Sequence, residues 1–241
     1  MGDKAQKSIT LQDSVYKALF EDIISGNLPP GSKLNLRLIA KQYNVSIQPV
    51  REAVRRLEAE KMLSIDSRSI TIHEMSREEI DQIFIVHTTN TILAFELAAE
   101  NRTEEDLDRI RKSLDTLKAY KTSQEFFLAG RVFWLSTVRA SNNVILYELI
   151  SFYLGRMTQY TLLTYALYSD DDINYVHKQY ENIYNAIKNR NKKIIKKLVN
   201  NLFGFHHKIV SLATEHQKDM KFKDYLGLID LFKQINKKEK P

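Results

Sequence analysis

The chain has 241 residues, enough for one large domain or two modest ones, and 43% of them are hydrophobic, which excludes wholesale disorder. It contains no cysteine, so disulfides, thiolate metal sites and a cysteine nucleophile are excluded. The formal charge of +6 suits a polyanionic partner. No segment resembles a signal peptide or a membrane span, so we expect a cytoplasmic protein without membrane contact.

The first part of the chain has the pattern of three short helices followed by a β-hairpin. Apolar residues recur at helical spacing in three segments, and two short alternating segments follow them. The elements expected are helices over 11–25 and 36–43, a third helix capped by Ser46 with Pro49 in its first turn, and strands at 62–65 and 69–73. This order predicts a winged helix-turn-helix.

The remainder of the chain is helical almost to its end. The expected helices cover 76–101, 103–120, 123–140, 143–168, 172–190 and 191–216. The fold class is therefore mostly α, a winged helix-turn-helix with a small β-hairpin followed by an all-α bundle. The predicted organisation is a DNA-binding domain at 1–74, a linker at 75–79, a helical effector and dimerisation domain at 80–216, and an amphipathic tail at 217–241.

The N-terminal end of the third helix carries side chains suited to reading a major groove. Gln48 can pair with adenine, Arg51 with guanine or phosphate, and the Ser46 hydroxyl can donate to a phosphate. The other candidates are Ile47 at the same helix end, Arg37, Lys41 and Arg55 for backbone contacts, and Arg68 at the wing tip for a minor groove. The alternative is a basic domain that docks a protein.

Two motifs within residues 10–73 carry a family resemblance. They are Leu28-x-Pro30-Gly31-x-Lys33-Leu34 and Val45-Ser46-x-x-Pro49-Val50-Arg51-Glu52-Ala53-Val54-Arg55-Arg56-Leu57-Glu58-Ala59-Glu60. This part resembles the GntR family of bacterial repressors, and the resemblance implies a homodimer that binds double-stranded DNA at a palindromic operator.

Three positions depart from the family pattern. Ile47 and Gln48 replace a common Arg-Thr pair, and Ser69 replaces the usual glycine at the wing tip. Arg37, Ser46, Arg51 and Arg68 still match DNA-contacting positions. We therefore expect DNA binding with an unusual operator sequence, the alternative being that DNA binding has been lost.

The length and helix order of the second part, together with Phe133, Ser141–Asn143, Arg156 and Ala186-Ile187, carry a second resemblance. Residues from about 78 to 215 are similar to the FCD-type effector domain of the FadR branch. The resemblance implies a divalent metal held by an Asp-x-x-x-His pair and two later histidines. Those positions fall on Gly130, Trp134, Tyr180 and Leu202, which do not form a competent ligand set, so no cofactor is expected. The alternative is a displaced site at His177 and His206 with His87, although ordinary buried or surface histidines are the simpler interpretation.

Aromatic residues dominate the implied effector pocket. They are Trp134, Tyr153, Tyr160 and Tyr180, with Arg156 as an anion anchor, and they predict an organic acid or acyl-type effector. The alternative is that these rings fill a core and that the domain only dimerises. We find no nucleophile elbow, phosphate-binding loop, metalloprotease motif or dinucleotide fingerprint, and therefore expect no enzyme.

Overall fold

The computed structural model describes residues 10–25, 27–120, 122–166 and 168–215, without the side chains of 77, 123–124, 158–160, 162–166 and 210–215. Two compact units, Met1–Glu74 and Met75–Pro241, make up the chain. The predicted tail at 217–241 lies outside the described residues.

Three helices and a three-stranded sheet form the N-terminal unit. They are α1 (Leu11–Ile24), β1 (Lys33–Leu34), α2 (Leu36–Gln42), α3 (Ile47–Ala59), β2 (Leu63–Ile65) and β3 (Ile70–Ile72). Both strand pairs are antiparallel and the strand order is β1-β3-β2. The predicted hairpin is thus β2 and β3, and the structure adds β1, which is too short to show an alternating pattern.

The core of this unit lies between α1, α3 and the sheet. Val15, Leu19 and Ile23 of α1 are buried four residues apart, and they belong to the same apolar cluster as Val50 and Leu57 of α3. Full burial of such side chains contributes about 1.5–3 kcal/mol each. Because the apolar stripe of α3 faces inward, its basic residues lie on the outer surface.

Six long helices form the second unit. They are α4 (Arg77–Asn101), α5 (Glu104–Thr116), α6 (Ser123–Arg139), α7 (Val144–Ala166), α8 (Asp170–Lys188) and α9 (Lys192–Glu215), with a 3-10 turn at Leu117–Ala119 after α5. Each agrees with the sequence prediction to within a few residues, and α4 begins inside the predicted 75–79 linker. No helix in the described ranges is long and apolar enough to cross a membrane.

Hydroxyl side chains define where four of these helices begin. Ser76, Thr103, Thr122 and Ser169 each accept a hydrogen bond from the backbone N–H three residues later. The last three also form capping boxes, in which an acidic side chain bonds back to the N-cap N–H. Such caps pair backbone N–H groups that the first turn leaves without an intrahelical partner.

Gly31 is required by the turn that leads into β1. Its φ of +78° is in the left-handed region, and its N–H donates to the Ile72 carbonyl at 2.9 Å. We expect Gly31→Ala to lower the free energy of unfolding by about 1–2 kcal/mol, because a Cβ in this conformation meets the following carbonyl. Urea unfolding followed by circular dichroism measures the change.

Gly204→Ala is the control of opposite sign. Gly204 lies in α9, and a Cβ built there meets nothing within 4 Å. Alanine should therefore stabilise the helix by about 0.5–1 kcal/mol. Equal effects of the two substitutions would contradict the conformational requirement at Gly31.

Candidate DNA interface and helical-domain cavity

Ser46 begins α3 with a hydroxyl that does not cap the helix. It is the N-cap residue and is exposed, but its side chain makes no capping hydrogen bond. An N-cap hydroxyl commonly bonds the N–H three residues later, and that residue is Pro49, which has none. The hydroxyl is therefore available to a phosphate oxygen at a helix end where the dipole favours anions.

Gln48 is held in one orientation on the exposed face of α3. Its Nε2 donates to Oε1 of Glu52 at 2.7 Å. This bond leaves the second N–H and the amide oxygen, the two groups that pair bidentately with adenine. Ile47, one residue earlier, is half-buried.

The arginines of α3 fall into two groups. Arg51 and Arg55 are exposed, one turn apart, and neither forms an ion pair with a described residue. Arg56 is held by its surroundings: its guanidinium lies 3.7 Å from the Tyr16 ring centroid, 3.5 Å from Asp13 and 3.4 Å from Glu60. The first two therefore remain exposed on the helix surface, whereas Arg56 joins α3 to α1.

Two further basic residues lie on exposed parts of this unit. Arg37 is in the first turn of α2, and Arg68 is in the turn between β2 and β3. Oδ1 of Asp66 accepts the backbone N–H of Arg68 at 2.7 Å and that of Ser69 at 2.8 Å. These bonds lower the pKa of Asp66 and shape the turn without a positive φ at Ser69, so the turn does not require glycine there.

A cavity of about 70 Å³ lies in the second unit between α4, α6, α7, α8 and α9. Its wall is mostly apolar, and no aspartate or glutamate belongs to the lining within the described residues. The side chains at its wall that carry a nitrogen or oxygen atom are His87, Arg131, Trp134, Thr161, Tyr180 and His206.

The positions that would carry metal ligands hold a glycine and two aromatic rings. A Cβ on Gly130 would lie 3.0 Å from the Tyr180 hydroxyl, so Tyr180 occupies the space of a side chain at that position. The Tyr180 ring stacks on Phe133 at 4.9 Å and lies 6.2 Å from Trp134. These residues do not fit a divalent metal, because glycine has no side-chain donor atom and the Trp134 indole is only a hydrogen-bond donor.

The fourth aligned position is also unsuited to a metal. Leu202 is buried in the apolar core, and its neighbour Phe203 lines the cavity instead. The aligned position therefore falls on α9, one residue before the side chain that reaches the cavity.

The three histidines of the displaced metal site are not brought together. His87 and His206 line the cavity, whereas His177 faces the charged side chains of Arg111, Lys118 and Glu181. No three His, Asp or Glu side chains in the described parts of the chain are grouped as metal ligands would be. Nδ1 of His206 is hydrogen-bonded to the Tyr168 hydroxyl. Burial lowers the pKa of His87 to about 4 and that of His206 to about 3, so both rings are neutral at physiological pH.

Comparison with known proteins identifies both units. The model of the bacterial regulatory proteins, gntR family, matches residues 11–71, and the FCD domain model matches residues 91–205. The regulator McbR of Escherichia coli K12 is 30% identical over 153 residues, which cover 62% of this chain and 69% of McbR. The chain belongs to the GntR family.

Other members of the GntR family support this assignment. The solved structure of E. coli McbR superposes with a TM-score of 0.75 at 25% identity, covering 85% of this chain and 98% of that one. YdhC of Bacillus subtilis 168, an HTH-type regulator, is 28% identical over 197 residues, 80% of this chain and 86% of YdhC. The gluconate operon repressor of Bacillus licheniformis is 27% identical over 124 residues, 50% of this chain and 51% of the repressor. The chain is therefore a DNA-binding transcription regulator and not an enzyme.

Arg156, predicted as the anion anchor of the pocket, is not part of the cavity wall of this GntR-family protein. It forms an ion pair with Glu79, whose backbone N–H is bonded to the Ser76 cap. Tyr153 is also outside the cavity wall and packs on the apolar cluster that contains Met75 and Met157. The side chain of Tyr160 lies outside the described residues. Of the five predicted pocket residues, Trp134 and Tyr180 line the cavity.

Arg131 is the charged residue of the described cavity lining that sequence reasoning missed. Its Nη1 donates to the Leu154 carbonyl at 3.0 Å, and burial lowers its pKa. The signal was its position four residues after Phe127 and three before Trp134, which places all three on one helix face. An arginine in an apolar stripe of α6 indicates a half-buried cation that has a hydrogen-bond partner.

The close approach of Tyr180 to Gly130 predicts a coupling that stability measurements can detect. We expect Gly130→Ala to lower the free energy of unfolding by about 1–3 kcal/mol, because a Cβ would lie too close to the Tyr180 hydroxyl. In a Tyr180→Phe background the same change should be nearly neutral, because the nearest atom is gone and alanine favours the helix.

A double-mutant cycle in urea measures the coupling between these two positions. Additive effects would mean that Tyr180 does not occupy the space beside Gly130. Gly204→Ala in both backgrounds is the control, because its Cβ contacts nothing within 4 Å and its effect should be independent of Tyr180.

Proposed function

We propose that the protein is a cytoplasmic repressor that binds a palindromic operator as a homodimer and whose DNA affinity changes when a small molecule binds in the helical-domain cavity. The observation that carries the DNA part is the exposed end of α3, where Arg51 and Arg55 have no ion pair with a described residue, Gln48 is oriented by Glu52, and the Ser46 hydroxyl is free of the helix. Repression is the activity named for the gluconate operon repressor.

The division of labour on the DNA follows from residue type and position. Gln48 and Arg51 read base edges, and their pairing with adenine and guanine supplies sequence specificity. Arg37, Arg55 and Ser46 contact phosphates and set the register, and Arg68 reaches the minor groove from the wing. Two such heads on a dimer match the two halves of a palindrome one helical turn apart.

The cavity supports the regulatory part of the proposal, because it gives a small molecule a place to bind in the helical domain. Such a molecule would regulate DNA binding only if it bound two arrangements of the dimer with different affinity. The competing function, a helical domain that only dimerises, is favoured by the small volume of about 70 Å³ and by the packed rings of Phe133, Trp134 and Tyr180. A small molecule that binds in the cavity and changes operator affinity would support effector regulation over a domain that only dimerises.

Arg51→Ala should weaken binding to an operator selected from random DNA by roughly 10- to 100-fold, as expected for loss of a bidentate base contact worth about 1–3 kcal/mol. Fluorescence anisotropy at fixed salt measures the affinity. Arg56→Ala is the matched control, because Arg56 contacts Tyr16, Asp13 and Glu60 instead. It should reduce stability and leave operator affinity nearly unchanged.

Arg68→Ala measures the contribution of the wing separately from that of α3. It should cause a smaller loss of affinity than Arg51→Ala and make the dependence of log K on log salt shallower by about one unit.

An Arg51 variant that binds the operator as tightly as the wild type would rule out α3 as the recognition helix.

Native mass and metal content test the proposed homodimer and the metal-free cavity. We expect protein purified without a metal-binding tag to be a dimer in native mass spectrometry and to carry no stoichiometric divalent metal in elemental analysis, because Gly130, Trp134 and Tyr180 do not form a ligand set. A monomer would refute the homodimer. One metal per subunit would refute a metal-free cavity, and loss of that metal in a His206→Phe variant would locate it.

A further inference from the structure

Two side chains of the cavity wall each have a buried nitrogen atom without a hydrogen-bond partner among the described groups. Nδ1 of His87 and Nε1 of Trp134 are buried and make no hydrogen bond, on side chains that are 4% and 5% exposed. The Phe203 ring lies 5.2 Å from the His87 ring and 5.6 Å from the Trp134 ring, so both belong to one wall of the cavity. Buried polar groups are nearly always hydrogen-bonded, and two exceptions at one cavity point to a ligand.

We propose that the cavity binds a small uncharged molecule whose oxygen atom accepts a hydrogen bond from Trp134, is bonded also to His87, and whose short apolar body lies against Phe84, Met157 and Phe203. This proposal rests on the proposed function, in which the helical domain takes an effector, and it specifies the chemical class of that effector.

The volume limits the ligand to a short molecule. One water needs about 10–15 Å³ of space of this kind, so a cavity of about 70 Å³ holds roughly six non-hydrogen atoms. The predicted acyl-type effector is too long for it. Amides, ketones and alcohols with a short branched chain have the required size, one oxygen and an apolar body.

The groups that would contact the ligand oxygen are uncharged, which suits an uncharged ligand. The His87 and His206 rings are neutral at physiological pH because burial lowers their pKa, so neither offsets a negative charge. Arg131 is the charged side chain in the described lining; its Nη1 donates to the neutral Leu154 carbonyl, so a carboxylate of the same shape is the competitor that the experiment includes. A carboxylate would lose its hydration in a mostly apolar cavity, whereas a neutral oxygen loses much less.

The hydrogen-bonding capacity of the two side chains matches such an oxygen. The indole of Trp134 is only a donor, so the ligand atom that meets it must be an acceptor. A neutral imidazole offers either a donor or an acceptor at Nδ1, according to its tautomer. A carbonyl oxygen can therefore accept from both groups, and an alcohol can accept from Trp134 and donate to His87.

Trp134 also supplies the readout, because it is the single tryptophan in the chain. The experiment titrates the full-length protein with isobutyramide and with isobutyrate, which have the same shape and differ in charge, and follows tryptophan fluorescence at neutral pH. We expect saturable binding of isobutyramide and roughly tenfold weaker binding of isobutyrate. Isobutanol and methyl ethyl ketone extend the neutral series.

His87→Phe tests the hydrogen bond while keeping a ring of similar size. Isobutyramide should bind roughly tenfold more weakly to this variant, while its melting temperature should rise because an unpaired buried nitrogen is removed. His177→Phe is the matched control. His177 also has a buried nitrogen without a partner, but it is not part of the cavity wall, so binding should be unchanged.

The outcomes separate this proposal from the proposed function. Isobutyrate binding as tightly as isobutyramide would overturn the uncharged class, and a change in operator affinity with isobutyrate would leave the effector function standing. Saturable binding by none of the neutral molecules would overturn the proposal. If isobutyrate were also without effect on fluorescence and on operator affinity, the effector function would fail with it.

Discussion

The contact between Tyr180 and Gly130 sets the chemistry of the helical domain. Tyr180 stacks on Phe133 and lies beside Trp134 with its hydroxyl so near Gly130 that a Cβ there, 3.0 Å away, would require it to shift. A metal-coordinating aspartate at position 130 would need the space that the Tyr180 hydroxyl occupies. The domain therefore offers hydrogen-bonding groups and aromatic surface where the resemblance implied a metal, and the small cavity volume follows from the same packing.

A similar division between structural and free groups shapes the DNA-binding unit. Arg56 lies against Tyr16, whose hydroxyl also donates to Glu60, so this arginine stabilises the contact of α3 with α1. Its neighbour Arg55 has no such partner among the described residues. Ser46 is likewise left without a partner within α3. Pro49 has no backbone N–H, so the Ser46 hydroxyl does not accept the usual capping hydrogen bond from that residue. Arg56 therefore fixes the position of α3, whereas Arg55 and the Ser46 hydroxyl keep the capacity to bind another molecule.

Most of the fold could be predicted from the sequence because helices carry their own signals. Buried residues recur every three or four positions, and capping residues such as Thr103 and Ser169 mark where helices begin. Strand β1 could not be found this way, because two residues show no alternation and their pairing partners, Thr71 and Ile70, are distant in sequence.

The candidate site was less predictable, because the partner of a side chain depends on the tertiary structure and is often distant in the sequence. Trp134 and Tyr180 were found through the family alignment, whereas Arg156 was wrongly placed in the pocket because its carboxylate partner Glu79 is 77 residues away. A lone arginine in a sequence indicates a charge and does not indicate what neutralises it. Arg131 was overlooked for the opposite reason, since its helical spacing with Phe127 and Trp134 was visible and only the inward direction of that face was unknown.

In the proposed function, helix α4 is the element that would connect ligand binding to regulation. It begins at Arg77, directly after the boundary of the two units, and its first three turns bring Ile80, Phe84 and His87 to the cavity wall. The ion pair of Glu79 with Arg156 joins its first turn to α7. A molecule that bonds to His87 therefore acts on the helix that immediately follows the DNA-binding unit. Because His87 is neutral and otherwise unpaired at Nδ1, the bond forms only when the ligand is present, and its free energy can favour one position of α4 over another. A ligand that touched only α8 and α9 would have no such direct connection to the start of this helix.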